Sequence, residues 1–424
     1  MLLTLKAKFL QKVKHMMNGL KPAPLPDGGS TQTMMFRFLL IAFTAVGPFS
    51  LNIFKPCLPW IRADFHIPVD TVQLALSLSI ASSAAVTIVA GWLSDHLGRR
   101  PVLLFSTHVY IASSALCVVA PGIWAVIIGR IVQAASSTVG LVLSRSIVQD
   151  VYGKGNTTAV FGKLAFVGMA LVVVAPVLGG ALIEVSGWRM VFAATAAFGL
   201  LIVLLAHRHF PETRPIGDDS EGGAENSGIN PFRSPVYYGY VGQSSLHFGV
   251  FFAFSSVSTY LMVEVLQRPA MDYGLWFISL AASLAGGVAL AGTIADRTGN
   301  ARLVLIGSFI AFAGGLIGAH FLVAEQLTPI RLFIPATLSG FGMGITLPAA
   351  LAGSTAVNPG RAGIASGFMS LMHLTVATVL SQLVVEWPGD QKAVLAGVVV
   401  AGTGMAFIFS ALPLIFNPKK GEKQ

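Results

Sequence analysis

The sequence predicts an all-α integral membrane protein of twelve transmembrane helices, arranged as two six-helix halves related by pseudo-symmetry. Three observations carry that prediction. Only 11% of the 424 residues are charged and 54% are hydrophobic, whereas soluble chains hold about 25% charged residues. Apolar runs of span length recur along the chain. A motif in the first half returns in the second at a fixed spacing.

A span needs roughly 20 mostly apolar residues. Twelve such runs occur, at about 35–58, 70–93, 101–120, 123–146, 159–183, 189–207, 236–262, 273–295, 302–322, 329–353, 363–385 and 392–416. The expected organisation is a basic N-terminal segment (1–34), a first half (35–207), a linker (208–235), a second half (236–416) and a short tail (417–424). The first segment places Lys6, Lys8, Lys12 and Lys14 between apolar residues. A basic amphipathic helix on the cytoplasmic leaflet and a disordered tail both fit it, while the lack of a continuous apolar core and a small-residue cleavage site argues against a secretory signal. The linker is rich in Gly, Ser, Pro and acids and has little to bury, as a flexible connection requires.

Orientation follows from the basic residues. With the N-terminus inside, twenty Lys and Arg fall on the cytoplasmic side, four fall outside and three lie within spans. Both termini are therefore expected in the cytoplasm. The net charge of +9 has the same origin; no basic stripe or RNA motif suggests a nucleic-acid partner. Cys57 and Cys117 are isolated in apolar surroundings and match neither a disulfide framework nor a zinc spacing, so packing is their expected role. GKGNTT (153–158) lacks the spacing of a phosphate-cradling loop. No cofactor is expected, and energy must come from an ion gradient, the substrate's own gradient or a partner subunit.

After the second span the chain reads GWLSDHLGRRP, and after the eighth GTIADRTGNAR. Gly91, Asp95 and Gly98 match Gly292, Asp296 and Gly299 at an offset of 201, which also carries Arg130 onto Arg331. Parallel repeats of this kind place a substrate site between halves near the membrane midplane. The first of these loops resembles the signature of the major facilitator superfamily, G-x-L-[AS]-D-x-x-G-R-[RK]. APVLGG (175–180) resembles the proline–glycine signature of the family's exporters. GWRMVF (187–192) opens the sixth span, as is usual in that family, while RSIVQDVYG (145–153) and the pair Arg130 and Gln133 resemble the drug:proton antiporters, in particular the bicyclomycin and chloramphenicol resistance branch. The resemblance covers the membrane region and leaves out 1–30 and 214–230.

The resemblance implies a monomeric inner-membrane exporter of a small organic molecule, driven by proton entry and not an enzyme. It also implies a cytoplasmic latch in which Asp95 pairs with Arg99 or Arg100, joined by Arg145 and Asp150, with Gly98 allowing the tight reversal. The second copy, at Asp296 and Gly299, carries Asn300 where an arginine would map and should hold less firmly. Pro176 with Gly179 and Gly180 would bend the fifth helix and seal one face, or simply pack tightly.

Ionisable groups at membrane depth are costly and are functional candidates. Arg130, with Gln133 on the same face, can bind an acid, join proton coupling or snorkel to the interface. In the resembling antiporters the first helix ends D-M-Y-L-P-x-x-P; here the register reads Asn52-Ile53-Phe54-Lys55-Pro56-Cys57-Leu58-Pro59. The titratable acid has become an amide, and a cation has appeared one turn on. Both changes favour anions over cationic drugs, unless Lys55 snorkels to the outer surface. A narrow anionic substrate such as a carboxylate siderophore then becomes a candidate, and its uptake is the alternative to export. His247 and His373 can carry protons or make a single interhelical hydrogen bond. Gln73 with Ser77, and Gln243 with His247, are spaced to line a cavity. Glu184, Glu264 and Glu386 are expected to be solvated at outer helix ends. A transporter-like receptor would normally carry a larger soluble segment than 207–235, and a membrane enzyme would need an acid, base or metal cluster that no motif supplies.

Overall fold

The computed structural model describes residues 30–213, 233–324, 327–357, 362–387 and 390–416. The expected N-terminal amphipathic segment, most of the linker and the tail lie outside the described residues, as do the side chains of Asp95, Arg145 and Asp296. Among the described residues every regular element is a helix. In chain order these are α1 (Ser30–Phe54), α2 (Cys57–Phe65), α3 (Val69–Leu97), α4 (Arg99–Val118), α5 (Ile123–Ser186) and α6 (Trp188–His209). They continue as α7 (Pro235–Tyr260), α8 (Ala270–Thr298), α9 (Asn300–Val323), α10 (Pro329–Ala356), α11 (Ala362–Glu386) and α12 (Gln391–Phe416). A π-helical turn at Leu261–Val265 extends α7.

Two elements depart from the sequence expectation. The first span ends at Phe54, because Pro56 has no N–H to donate and crowds the preceding turn. The chain restarts as the short helix α2, which ends in His66 at a left-handed φ of 53°. The fourth and fifth spans, expected as separate runs, form one helical stretch of 64 residues. It cannot be straight. Arg130 reaches Ser50, while a Cβ on Gly179 would touch Ile53, three residues further along α1. A straight helix from 130 to 179 would be about 74 Å long, so α5 folds back and contributes two crossings. Eleven stretches among the described residues are long and apolar enough to span, and Val174–Ser186 is the apolar end of the second α5 limb. The fold is the expected twelve-crossing bundle.

The 201-residue repeat is visible in the backbone. Gly98 (φ 96°) and Gly299 (φ 79°) both adopt conformations that L side chains avoid, and each turns one helix into the next. The offset holds for α3–α4 against α8–α9 but not for α5 against α10. Arg130 is the eighth residue of α5, and the eighth residue of α10 is Ala336. Arg331 sits instead in the first turn of α10, its backbone N–H capped by Thr328.

Small residues set the helix spacing. Gly140 backs onto Phe43, Gly287 onto Phe341, and Gly344 onto Leu284, each so closely that a Cβ would meet a backbone oxygen at 2.2–2.4 Å. Close approach through glycine is how helices gain packing energy where lipid supplies no hydrophobic drive.

Candidate functional site

The break after Phe54 places Lys55 where α1 meets α7 and α8. Its side chain is 0% exposed, which rules out snorkelling. Nζ donates to Asn52 Oδ1 at 2.9 Å and to Ser255 Oγ at 2.6 Å. Asn52 is itself fixed by donating to Pro48 O. Three rings surround Nζ, with centroids at 4.7 Å (Phe252), 5.3 Å (Phe277) and 5.6 Å (Phe251), distances at which a protonated Nζ would interact with their faces. Tyr273 closes the far side by donating to Ser255 O at 2.9 Å. Among the described residues no carboxylate pairs with Lys55. Asn52 and Lys55 come from the first six-crossing set and the other partners from the second.

The same end of the bundle holds further contacts between the sets. Arg62 forms an ion pair with Glu264, Glu184 accepts from Met271 N at 2.9 Å, and Ser77 donates to Gln382 Oε1 at 2.7 Å. Glu184 and Glu386 are exposed at helix ends, as expected, while each also accepts a hydrogen bond; Glu264 is half-buried in its ion pair. APVLGG is wedged between the sets. A Cβ on Gly179 would meet Ile53 O of α1 at 2.4 Å, whereas one on Gly180 would meet Ala270 O of α8 at 2.7 Å.

Arg130 lies in a separate buried cluster inside the first set, 1% exposed. Its guanidinium packs 4.1 Å from the Phe54 ring and donates to Gln133 Oε1 at 2.6 Å, with weaker contacts to Ser50. Gln133 Nε2 passes the network to Ser114 at 2.6 Å and Thr195 at 3.3 Å. Phe54 therefore has a cation on either side: Arg130 on its ring, Lys55 as its chain neighbour. Cys57 and Cys117 are free and buried.

The remaining intramembrane candidates separate. Gln73 is buried with neither amide atom partnered. His373 Nε2 lies 3.0 Å from Ser244 Oγ, and its ring stacks on Phe248 at 5.1 Å. His247 and Gln243 face the interior of the second set, toward Thr346 and Ser308 respectively. His247 borders a cavity of about 50 Å³ that is also lined by Phe254, Ala311, Ala336, Ser339 and Thr403. Helix position makes this cavity the counterpart of the Arg130 cluster: Ala336 replaces Arg130, Ala311 replaces Tyr110, and Ser339 replaces Gln133.

At the opposite end, Arg99 Nε pairs with Asp150 Oδ2 at 3.2 Å and Arg99 Nη1 donates to Ser94 at 2.6 Å. The expected network partner Asp150 is thus in place, within the first set. Glu212, which the sequence did not single out, accepts from the backbone N–H groups of Arg99 (2.9 Å) and Arg100 (3.1 Å). It caps α4 from 113 residues away. Asp64 was also missed. It accepts from Arg189 at 2.8 Å and Trp188 at 3.1 Å, and these hydrogen bonds hold its carboxyl below the usual carboxylate range.

A family model described as "Major Facilitator Superfamily" matches residues 39–382. Among similar curated proteins, an uncharacterized MFS-type transporter, YdgK of Bacillus subtilis, is 26% identical over 83% of this chain and 89% of its own length. The multidrug resistance protein MdtL of Klebsiella pneumoniae is 23% identical over 91% of this chain and 97% of its own. MdtL of Escherichia coli is 27% identical over 80% and 86%. Among solved structures, a peptide transporter POT in complex with sulfate has a TM-score of 0.72 at 13% identity, covering 96% of this chain and 98% of the other. A bacterial homologue of the lysosomal transporter Spinster, in an inward-facing conformation, scores 0.67 at 17% identity over 92% and 96%.

Proposed function

The chain belongs to the major facilitator superfamily, and from that premise we propose that it is a proton-driven secondary transporter of a small organic anion in a bacterial inner membrane. It works by alternating access as a monomer, with both termini in the cytoplasm. The moving bodies are residues 35–207 and 236–416, joined by the 208–235 linker. The observation that carries this reading is the burial of Lys55 between the two sets, where its hydrogen-bond partners among the described residues are neutral. An unpaired cation at membrane depth is expensive, and a carboxylate or similar anion arriving between the halves would neutralise it.

The wedge of Pro176, Gly179 and Gly180 against α1 and α8 acts as the gate at the Lys55 end. The latch of Asp95, Gly98, Arg99, Arg100, Arg145 and Asp150, with Gly91, is its counterpart at the cytoplasmic end; Asp296 and Gly299 form the less firmly held second copy. Gln73, Arg130, Gln133, His247 and His373 support binding or coupling.

Two directions are supported by different facts. Export by proton antiport is favoured by the relatives named multidrug resistance proteins. Uptake is favoured by Asn52 and Lys55, which remove the acid that antiport in the resembling exporters relies on. Inside-out vesicles carrying the protein, with a pH dye inside, test the substrate class. Polycarboxylate siderophores are expected to change the proton gradient, and Lys55→Leu to abolish the effect. If cationic antibiotics alone change it and Lys55→Leu behaves as wild type, the anion reading is wrong.

A further inference from the structure

We propose that Lys55 itself carries the transported proton, so that the proton travels with the anion rather than against it. The inference rests on the reading above, in which an anion occupies the Lys55 site. A carboxylate at a coupling site binds either a proton or a cationic substrate; the two compete and move in opposite directions. A lysine inverts that logic. Its attraction for an anion exists only while Nζ holds the proton, so proton and anion bind together and leave together.

The geometry supports this assignment in two ways. The cage offers two hydrogen-bond acceptors, Asn52 Oδ1 and Ser255 Oγ, which is the number of N–H groups on a neutral amine; an ammonium has three. The walls are also neutral. From α1 the neighbour is Asn52, which does not titrate. From α7 they are Ser255 and the rings of Phe251 and Phe252, and from α8 Phe277 and the Tyr273 hydroxyl, which is already bonded to Ser255. The surrounding charged groups have other commitments. Arg130 of α5 packs across Phe54, Arg62 of α2 holds Glu264, and Glu184 of α5 caps α8. His373 of α11 bonds Ser244, three turns along α7 from Ser255.

A coupling rule follows. The Lys55 end closes around the amine, or around the ammonium with its anion, but not around a bare ammonium. In the loading step the Nζ lone pair takes a proton from hydronium on the open side, an O–H bond breaking to leave water as the N–H bond forms, and the ammonium binds the anion. After the halves rock, the anion leaves, the N–H bond breaks to water, and the amine returns. Each cycle moves one proton and one anion in the same direction, without net charge for a monoanion. An inward proton gradient then drives uptake.

The test uses the purified full chain in liposomes with the membrane potential clamped and the external pH followed by dye. Citrate and gluconate serve as probes, because neither crosses a bilayer unaided. Adding the anion outside should turn the medium alkaline as protons enter with it, and Lys55→Met should reduce that signal at least tenfold. Lys55→Arg keeps a charge that does not deprotonate. It should still exchange labelled anion but give no pH change. Acidification, anion entry with no pH change, or wild-type alkalinisation in Lys55→Arg would each overturn the inference while leaving an anion transporter. If neither anion moves and antibiotics drive protons instead, the substrate reading fails together with the inference.

Discussion

Gly179 and Gly180 are adjacent in sequence, yet a methyl group on each would meet a different half of the molecule. At Gly180 the added Cβ would sit 2.7 Å from both Ala270 O and Met271 Cα of α8. Carbon–oxygen contact begins near 3.2 Å, so α8 would have to retreat by about half an ångström or more, and overpacking of this kind costs about 1–3 kcal/mol. The strain exists only while the Lys55 end is closed. Gly180→Ala should therefore lower the closed population relative to the open one by about 5- to 150-fold, since 1.4 kcal/mol is a factor of ten. Gly179→Ala meets Ile53 O, within its own half, and should lower thermal stability without shifting that equilibrium. Replacing the ion-paired Arg62 and Glu264 by cysteines gives the assay, because a short bifunctional thiol cross-linker, in place of two long side chains, bridges them only when this end is shut. Cross-linking should drop sharply in Gly180→Ala and persist in Gly179→Ala. Equal cross-linking in both would refute the assignment of Gly180 to the moving interface.

Arg130→Met removes the donor to Gln133 and the stack on Phe54; a loss of about 1–3 kcal/mol in stability is expected, read as a lower melting temperature, and an unchanged melt would rule out a structural role for the cluster. Gly98→Ala forces a left-handed φ that costs an L residue about 1–2 kcal/mol and drives a Cβ to 2.7 Å from Glu212 Oε2. Combined with Glu212→Ala the losses should be non-additive by about 0.5 kcal/mol or more in a double-mutant cycle; strict additivity would separate the two. Asp64 has its folded-state pKa lowered by Arg189 and Trp188, so its contribution to stability is fully present above the unfolded value near 4 and is lost as pH falls through the folded value. Asp64→Asn should flatten the fall in melting temperature below about pH 4; an identical acid profile would show that the pair contributes nothing.

Much of the fold was legible because its causes are local. Spans follow from run length and the tight turns from Gly98 and Gly299. The break at Pro56 was not legible, because the apolar run continues through it to Leu58. The merged α5 was not legible, since apolar runs on either side of 147–158 look like separate helices whether or not the backbone stays helical between them. At the site, Asn52 and Lys55 stood out as polar departures in an apolar register. Their partners did not: Ser255 lies 200 positions from Lys55, and the Phe251–Phe252 pair reads as ordinary core until something charged is placed beside it. Glu212 reads as one solvated acid in a polar linker, and only the folded chain brings it onto the start of α4. The Arg130–Arg331 pairing misled for a related reason. A single offset cannot follow a repeat through loops of unequal length.

The space beside His247 sets the two halves apart under pressure. Beside Tyr110 the first half leaves about 10 Å³, whereas the second leaves about 50 Å³ beside His247. Hydrostatic pressure acts on such voids, so it should perturb the surroundings of His247 before those of Arg130.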